Sequence, residues 1–123
     1  MSCLIIDDNR STADCLAMIL EEFFELKCRV SYGSSAAITV LGSYTPDLIL
    51  LDINMPGVDG TEILAYLRRE SRFMTVPVII VTSDDLPETR QRCMKGGAQA
   101  MILKPITIDK FKETLQNIGV LPE

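Results

Sequence analysis

The 123-residue sequence contains no histidine and no tryptophan, and its four cysteines never form a C-x-x-C pair. Zinc would need an unusual ligand set, because zinc sites draw chiefly on Cys and His. Cys3, Cys15, Cys28 and Cys93 are therefore expected as reduced thiols packed like small hydrophobes in a cytoplasmic protein. No apolar stretch reaches the ~18 residues of a membrane span. The N-terminus, Met1-Ser2-Cys3-Leu4-Ile5-Ile6-Asp7, lacks the basic region of a secretory signal. Neither G-x-x-x-x-G-K-[ST] nor G-x-G-x-x-G occurs, which removes the common nucleotide-binding loops. Positive charge is also scarce. Twelve Lys and Arg against 17 Asp and Glu give a net charge of −5, the wrong sign for direct nucleic-acid binding. With no linker, low-complexity tract or long-period repeat, one domain over residues 1–123 is expected.

What is present is apolar and ordered. The chain is 47% hydrophobic and 24% charged, enough for one core with a soluble surface. Continuous apolar runs stand at Cys3–Ile6, 47–51, 76–81 and Ala100–Leu103, with a weaker one at 27–32 nearer an edge. Runs that do not alternate suit parallel strands covered on both faces. Between them lie helical patterns. Ala13, Leu16, Ala17, Leu20, Phe23 and Phe24 draw one stripe over 10–26, and Ala37, Val40 and Leu41 another over 34–43, with Ser34 or Ser35 as its cap. Asp59-Gly60-Thr61-Glu62 reads as a capping box opening a helix through Arg69. Pro87 suits the first turn of a helix that Gly96-Gly97 stops, and Thr107 caps a last helix ended by Gly119 and Pro122. Strand and helix alternate five times, which predicts an α/β, doubly wound (βα)5 fold with a five-stranded parallel sheet and right-handed crossovers.

In open sheets of this class, ligands bind beyond the carboxyl ends of the strands, where the strand order reverses. The residues following the runs are Asp7-Asp8-Asn9, Asp52-Ile53-Asn54, Thr82-Ser83-Asp84-Asp85 and Lys104-Pro105. Acidity is concentrated accordingly: residues 1–61 carry nine acids and three bases, residues 62–123 eight and nine. A single Asp after a strand is commonly a cap or turn former, Thr82 alone an ordinary strand residue and Lys104 alone a solvated charge. Their conjunction is different. Three carboxylates converging on one crevice repel one another unless a cation sits among them. Oxygen donors without His or Cys favour Mg²⁺.

These residues closely resemble the response-regulator receiver family. Leu4-Ile5-Ile6-Asp7-Asp8 resembles its first strand and acidic pair, and 47–60, with Asp52-Ile53-Asn54-Met55-Pro56-Gly57 at its centre, its phosphorylation segment. Val78-Ile79-Ile80-Val81-Thr82-Ser83 is similar to its fourth strand and hydroxyl position, and Leu103-Lys104-Pro105 to its lysine-proline step. The resemblance implies a flavodoxin-like strand order 2-1-3-4-5. It implies that Asp52 is the nucleophile that becomes an acyl phosphate. Asp8, Asp52 and the Asn54 backbone carbonyl would ligate Mg²⁺, with Asp7 acting mainly through water. Lys104 would pair with Asp52 and then with a phosphoryl oxygen, Thr82 would donate its hydroxyl there, Ser83 would leave access, and Asn54 and Asp84 would flank the group. The Lys104–Pro105 bond would be cis.

The resemblance also implies a switch. Thr82 would move toward the phosphoryl group and reshape the following loop. The inward-turning aromatic of most relatives is replaced by Met101, which departs from the pattern. Implied partners are a histidine kinase or phosphotransfer protein docking near Asn9, Arg10 and Pro105, and a target protein or output domain on the last two helices and last strand, where Gln91, Lys95, Met101 and Lys110 are expected to be exposed. A cytoplasmic monomer, or a weak phosphorylation-dependent dimer, is expected, either as a stand-alone receiver or as part of a longer regulator. It would catalyse only its own phosphoryl transfer and dephosphorylation. Two alternatives stand beside this reading. One is an Asp-nucleophile phosphohydrolase, which usually places a second Asp where Asn54 stands. The other is a receiver-fold interaction module not regulated by phosphorylation.

Overall fold

The computed structural model describes residues 1–55 and 59–121. The expectations attached to Pro56, Gly57 and Pro122 lie outside the described residues. Five strands, β1 (Ser2–Ile6), β2 (Lys27–Ser31), β3 (Leu48–Leu51), β4 (Val78–Thr82) and β5 (Ala100–Leu103), alternate with helices α1 (Arg10–Phe24), α2 (Ser34–Leu41), α3 (Gly60–Arg69), α4 (Pro87–Lys95) and α5 (Ile108–Asn117). All strand pairs are parallel and run in the order β2-β1-β3-β4-β5. The register is direct: Cys3 lies opposite Cys28 and Leu48, Leu50 opposite Ile79, and Val81 opposite Ile102.

The side-chain period of two explains the unbroken apolar runs. Leu4, Ile6, Ile49, Leu51, Val78 and Ile80 turn to one face, where α2, α3 and α4 contribute Ala37, Leu41, Ile63, Leu64, Leu67 and Cys93. Cys3, Ile5, Leu48, Leu50, Ile79 and Val81 turn to the other, against Ala13, Leu16 and Leu20 of α1 and Phe111 and Leu115 of α5. A strand buried on both sides has no position for a polar residue until it ends. Each large aliphatic or aromatic side chain so buried contributes roughly 1.5–3 kcal/mol.

Several local expectations are corrected. α2 is opened by Gly33, whose residue supplies no side-chain bond, and Ser34 is instead a buried first-turn residue; neither serine caps. Phe23 is 57% exposed and off the α1 stripe. The helix ends at Phe24, and Glu25, at φ 56°, turns the chain so that Leu26 donates to the Leu20 carbonyl. Residue 47 precedes β3, with the Asp47 carboxylate accepting from Ser2. Val76 precedes β4 in a turn on Phe73. Cys3 and Cys93 are buried and Cys28 is half-buried, but Cys15 is an exposed free thiol on α1.

The Asp59 half of the expected capping box and the Thr107 cap form, and Asn9 adds a cap that the sequence had not singled out. Asn9 caps α1 through Thr12 N, Asp59 caps α3 through Thr61 N, and Thr107 caps α5 through Lys110 N. Pro87 occupies the first turn of α4, and Gly97, at φ 105°, takes the chain out of it. Gly60 is required by proximity. A Cβ there would overlap the Ile53 Cα and lie 2.6 Å from the Asp52 carbonyl, so only glycine lets α3 start directly against the segment after β3.

Candidate functional site

β1 and β3 are neighbours, but the chain leaves β1 for β2 on one side and enters β3 on the other. The strand order therefore reverses at their carboxyl ends, which opens a crevice there. Asp7 and Asp8 follow β1, and Asp52 follows β3. One oxygen of each carboxylate lies within 4.8 Å of the others. Asp7 is 1% exposed and Asp52 7%, while Asp8 is open to solvent and leaves the cluster reachable.

Backbone bonds fix these side chains. Asp7 N donates to the Ser31 carbonyl and Asp52 N to the Ile6 carbonyl, extending the strand ladders by one residue. Asn9 N then donates to Asp7 Oδ1 at 2.9 Å and Asn54 N to Asp52 Oδ1 at 3.0 Å. In each case an aspartate accepts from the amide two residues on, the ordinary Asx turn. It leaves the second oxygen of each carboxylate facing the crevice. There Lys104 Nζ bridges them, 3.1 Å from Asp7 Oδ2 and 3.4 Å from Asp52 Oδ2. The lysine thus pairs with Asp52 as the resemblance implied, but it lies closer to Asp7. Asp7 is the more deeply buried carboxylate and has the greater need of a counter-charge. The Lys104 N–H donates to the Thr82 carbonyl, and the Lys104–Pro105 bond that follows is cis.

The charges show in the acidities. Burial pushes the Asp52 carboxyl above its ordinary value, and the negative Asp7 adds to this. The Asn54 amide and Lys104 oppose it without winning. Burial alone would lower Lys104, yet its hydrogen bond to Asp7 and the charge of Asp52 hold it above the ordinary lysine value. Three carboxylates with one ammonium among them leave an excess of negative charge. Together with an all-oxygen donor set in a chain without histidine, that excess fits a hard divalent cation. Asp7, Asp8 and Asp52 would hold it.

Across the crevice, the completely buried Thr82 ends β4. Its Oγ1 accepts from Asn54 Nδ2 and from Asp84 N, each at 3.2 Å. With both acceptor positions used, the hydroxyl proton is what Thr82 has left to offer. Ser83 is exposed beside it. Met101 on β5 is half-buried against the core rather than exposed, whereas Gln91, Lys95 and Lys110 are exposed as expected. Asn9, Arg10 and Pro105 are likewise at the surface.

The fold thus brings Asp7, Asp8, Asp52, Asn54, Thr82 and Lys104 to one crevice, while among the described residues no contact ties Ser83 or Met101 to that group. The fold also makes contacts that the sequence did not announce. Thr89 of α4 donates to Asp84 Oδ2 at 2.8 Å. Arg10 stacks on the Tyr32 ring at 4.0 Å, and Tyr32 donates its phenol to Asp14. Arg68 of α3 donates to the carbonyls of Phe73, Met74, Val76 and Gly97 and to Gln99 Oε1, binding α3 to the segments on either side of β4. Each looks like an ordinary surface residue until the loops are folded.

The family model of the response regulator receiver domain matches residues 3–116. The chain is 31% identical over 116 residues to the polar-differentiation response regulator DivK of Brucella anthropi, covering 94% of each. It is 33% identical over 115 residues to a part of the sensor histidine kinase RcsC of Salmonella typhi, of which it spans 12% of the length. Among solved structures, the signal receiver domain of a DNA binding response regulator from Colwellia psychrerythraea superimposes with a TM-score of 0.89 at 27% identity, covering 98% of this chain and 99% of that one. The chemotaxis protein CheY4 of Vibrio cholerae shares the fold at a TM-score of 0.88 and 24% identity, covering 95% and 97%.

Proposed function

The chain belongs to the response regulator receiver domain family of two-component signalling, and from that premise we propose that Asp52 accepts a phosphoryl group in a Mg²⁺-dependent reaction. The observation that carries this is the meeting of Asp7, Asp8 and Asp52 within 4.8 Å beside Lys104. Asp52 supplies a carboxylate oxygen as nucleophile to the phosphorus while the bond from phosphorus to its former carrier breaks, so that an acyl phosphate forms. Oδ2 faces the crevice beside Lys104, and the bond from Asn54 N holds Oδ1, which aims the nucleophile.

Phosphoryl transfer passes through a loose transition state that needs positioning and positive charge more than acid–base groups. Lys104 supplies fixed charge and is not a base. Thr82 donates its hydroxyl proton to a phosphoryl oxygen, Asn54 flanks the group, and the small exposed Ser83 leaves room for it. Asp7, Asp8, Asp52 and the Asn54 backbone carbonyl would hold Mg²⁺, which when bound neutralises charge on the transferring group. No proton-donating carboxyl stands at Asn54, so the features of a multiple-turnover phosphohydrolase are missing at that position. The chain catalyses its own phosphorylation and dephosphorylation only.

The donor is a histidine kinase or phosphotransfer protein that docks over Asn9, Arg10 and Pro105. The recipient of the signal is a target protein or output domain on the α4-β5-α5 face. Met101 fills the space near Thr82 in place of a rotating aromatic, a use that its unbranched, flexible chain permits. Residues 1–123 act as one domain in the cytoplasm, monomeric or weakly dimeric when phosphorylated. Among the described residues no helix is long and apolar enough to cross a membrane. The test is intact mass after incubation with a small phosphodonor and Mg²⁺. One phosphoryl mass on the wild type and none on Asp52→Ala is the expected result; equal uptake by both defeats the assignment.

A further inference from the structure

Resting on the reading of Asp52 as phosphoacceptor, we infer that Asp84 and Thr89 form a latch that carries the state of the Thr82 hydroxyl into α4. Four hydrogen bonds run in series from the crevice to the helix. Asn54 Nδ2 and Asp84 N both donate to Thr82 Oγ1 at 3.2 Å. Asp84 then turns its carboxylate the other way, where Oδ1 accepts from Leu86 N at 3.0 Å and Oδ2 from Thr89 Oγ1 at 2.8 Å. One residue therefore holds the active-site hydroxyl with its main chain and the first turn of α4 with its side chain.

α4 depends on this arrangement. Its N-cap is Leu86, which has no side-chain acceptor, and Pro87 follows. Asp84 anchors this end from outside the helix, accepting from the Leu86 amide just before it and from the Thr89 hydroxyl in its first turn. Thr89 is only 5% exposed, and the Asp84 carboxylate is its hydroxyl's described partner. A buried hydroxyl deprived of its acceptor is costly, so Thr89 follows Asp84 rather than staying behind. The bonds from Leu86 N and Thr89 also hold the Asp84 carboxyl below its ordinary pKa, so it stays charged and the bonds stay charge-assisted.

The consequence is mechanical. When Thr82 turns to donate to a phosphoryl group on Asp52, Oγ1 leaves the position at which Asp84 N meets it. The three-residue loop Ser83-Asp84-Asp85 has no other anchor of this kind among the described bonds, so Asp84 moves and its hold on Thr89 and Leu86 breaks or resets. Thr89 is a positioning residue; it touches no reacting atom. A merely local helix cap would affect α4 equally with and without phosphorylation.

The experiment is amide hydrogen exchange across α4, read beside intact mass, on the full chain with Mg²⁺ and with or without a small acyl-phosphate donor. In the wild type, α4 amides exchange about tenfold faster once the phosphoryl mass appears, the ratio set by losing one hydrogen bond to a charged group. Thr89→Val shows the faster exchange already without donor, changes no further with it, and still gains the phosphoryl mass. Thr89→Ser, which keeps the hydroxyl, restores wild-type behaviour. The latch is overturned if unphosphorylated Thr89→Val exchanges like the wild type, if its α4 still responds to phosphorylation, or if wild-type α4 is indifferent to a phosphoryl group that the mass records. Absence of phosphoryl mass in the wild type would instead defeat the phosphoacceptor reading, and the comparison without donor would still decide whether Thr89 holds α4.

Discussion

Lys104→Met separates two effects that the lysine exerts on the same oxygens. Nζ stands 3.1 Å from Asp7 Oδ2 and 3.4 Å from Asp52 Oδ2. At an effective dielectric near 20, the gross attraction is about 5 kcal/mol for each contact. Desolvation of the ammonium consumes several kcal/mol of that sum. Because the lysine side chain is 21% exposed, water screens part of the remainder. Removing one partner of a buried pair costs about 3–5 kcal/mol, and the partial exposure puts Lys104 at the low end, about 3 kcal/mol. In urea without magnesium, the midpoint should fall by about 1.5 M at an m-value of about 2 kcal/mol/M. Magnesium affinity should move the opposite way. The cation and the ammonium seek the same two carboxylates, so removing the lysine should tighten magnesium by about tenfold, or 1.4 kcal/mol. Phosphoryl uptake should nevertheless fall, since the fixed charge is gone. The lysine's pKa is raised above 10.5, so its stabilisation is fully present below that value and disappears only as pH rises through the higher folded one. Midpoints at neutral pH therefore report it whole. Urea titration and magnesium calorimetry on the variant decide the matter. A variant as stable as the wild type without metal, or one that binds magnesium more weakly, would refute the bridging role.

Asp52→Asn should raise stability in the presence of a chelator, because the folded state holds the ionised Asp52 at a cost, as its raised pKa records. That cost is present above the folded pKa and vanishes below 3.8. The variant's advantage should thus shrink as pH falls through that window, which paired urea midpoints against pH will show; an advantage that grows on acidification would contradict the assignment. Arg68→Lys should lower stability by about 2–3 kcal/mol, since a single ammonium cannot replace a planar fork serving four carbonyls and Gln99. Melting temperature should drop while phosphoryl uptake on Asp52, well removed in role from Arg68, remains.

Much of this was legible because strand physics is periodic. A run such as Ile49-Leu50-Leu51 must be covered on both faces, and the first polar residue after it, Asp52, must stand at the sheet's edge. The same logic located Asp7, Thr82 and Lys104. It failed where the outcome depended on packing rather than period. Phe23 continues a helical stripe on paper, yet it is Phe24 that packs against the core at the end of α1, and the Phe23 ring is left outside. Ser34 has the composition of a cap, but Gly33 opens α2 and the serine is buried in its first turn. Met101, expected at the surface, is half-covered because β5 pairs with β4 and packs on the core.

The sequence alone determined which residues end the strands and hence the chemistry available at one edge, because alternation and apolar runs follow from local backbone geometry. Only the tertiary structure decided that Lys104 approaches Asp7 more closely than Asp52, that Asp84 grips Thr89, and that Arg68 ties α3 to the flanks of β4. Hydrogen bonds and ion pairs change their meaning over a few tenths of an ångström. Distances that fine are set by the packing of segments far apart in the chain, which no local pattern records.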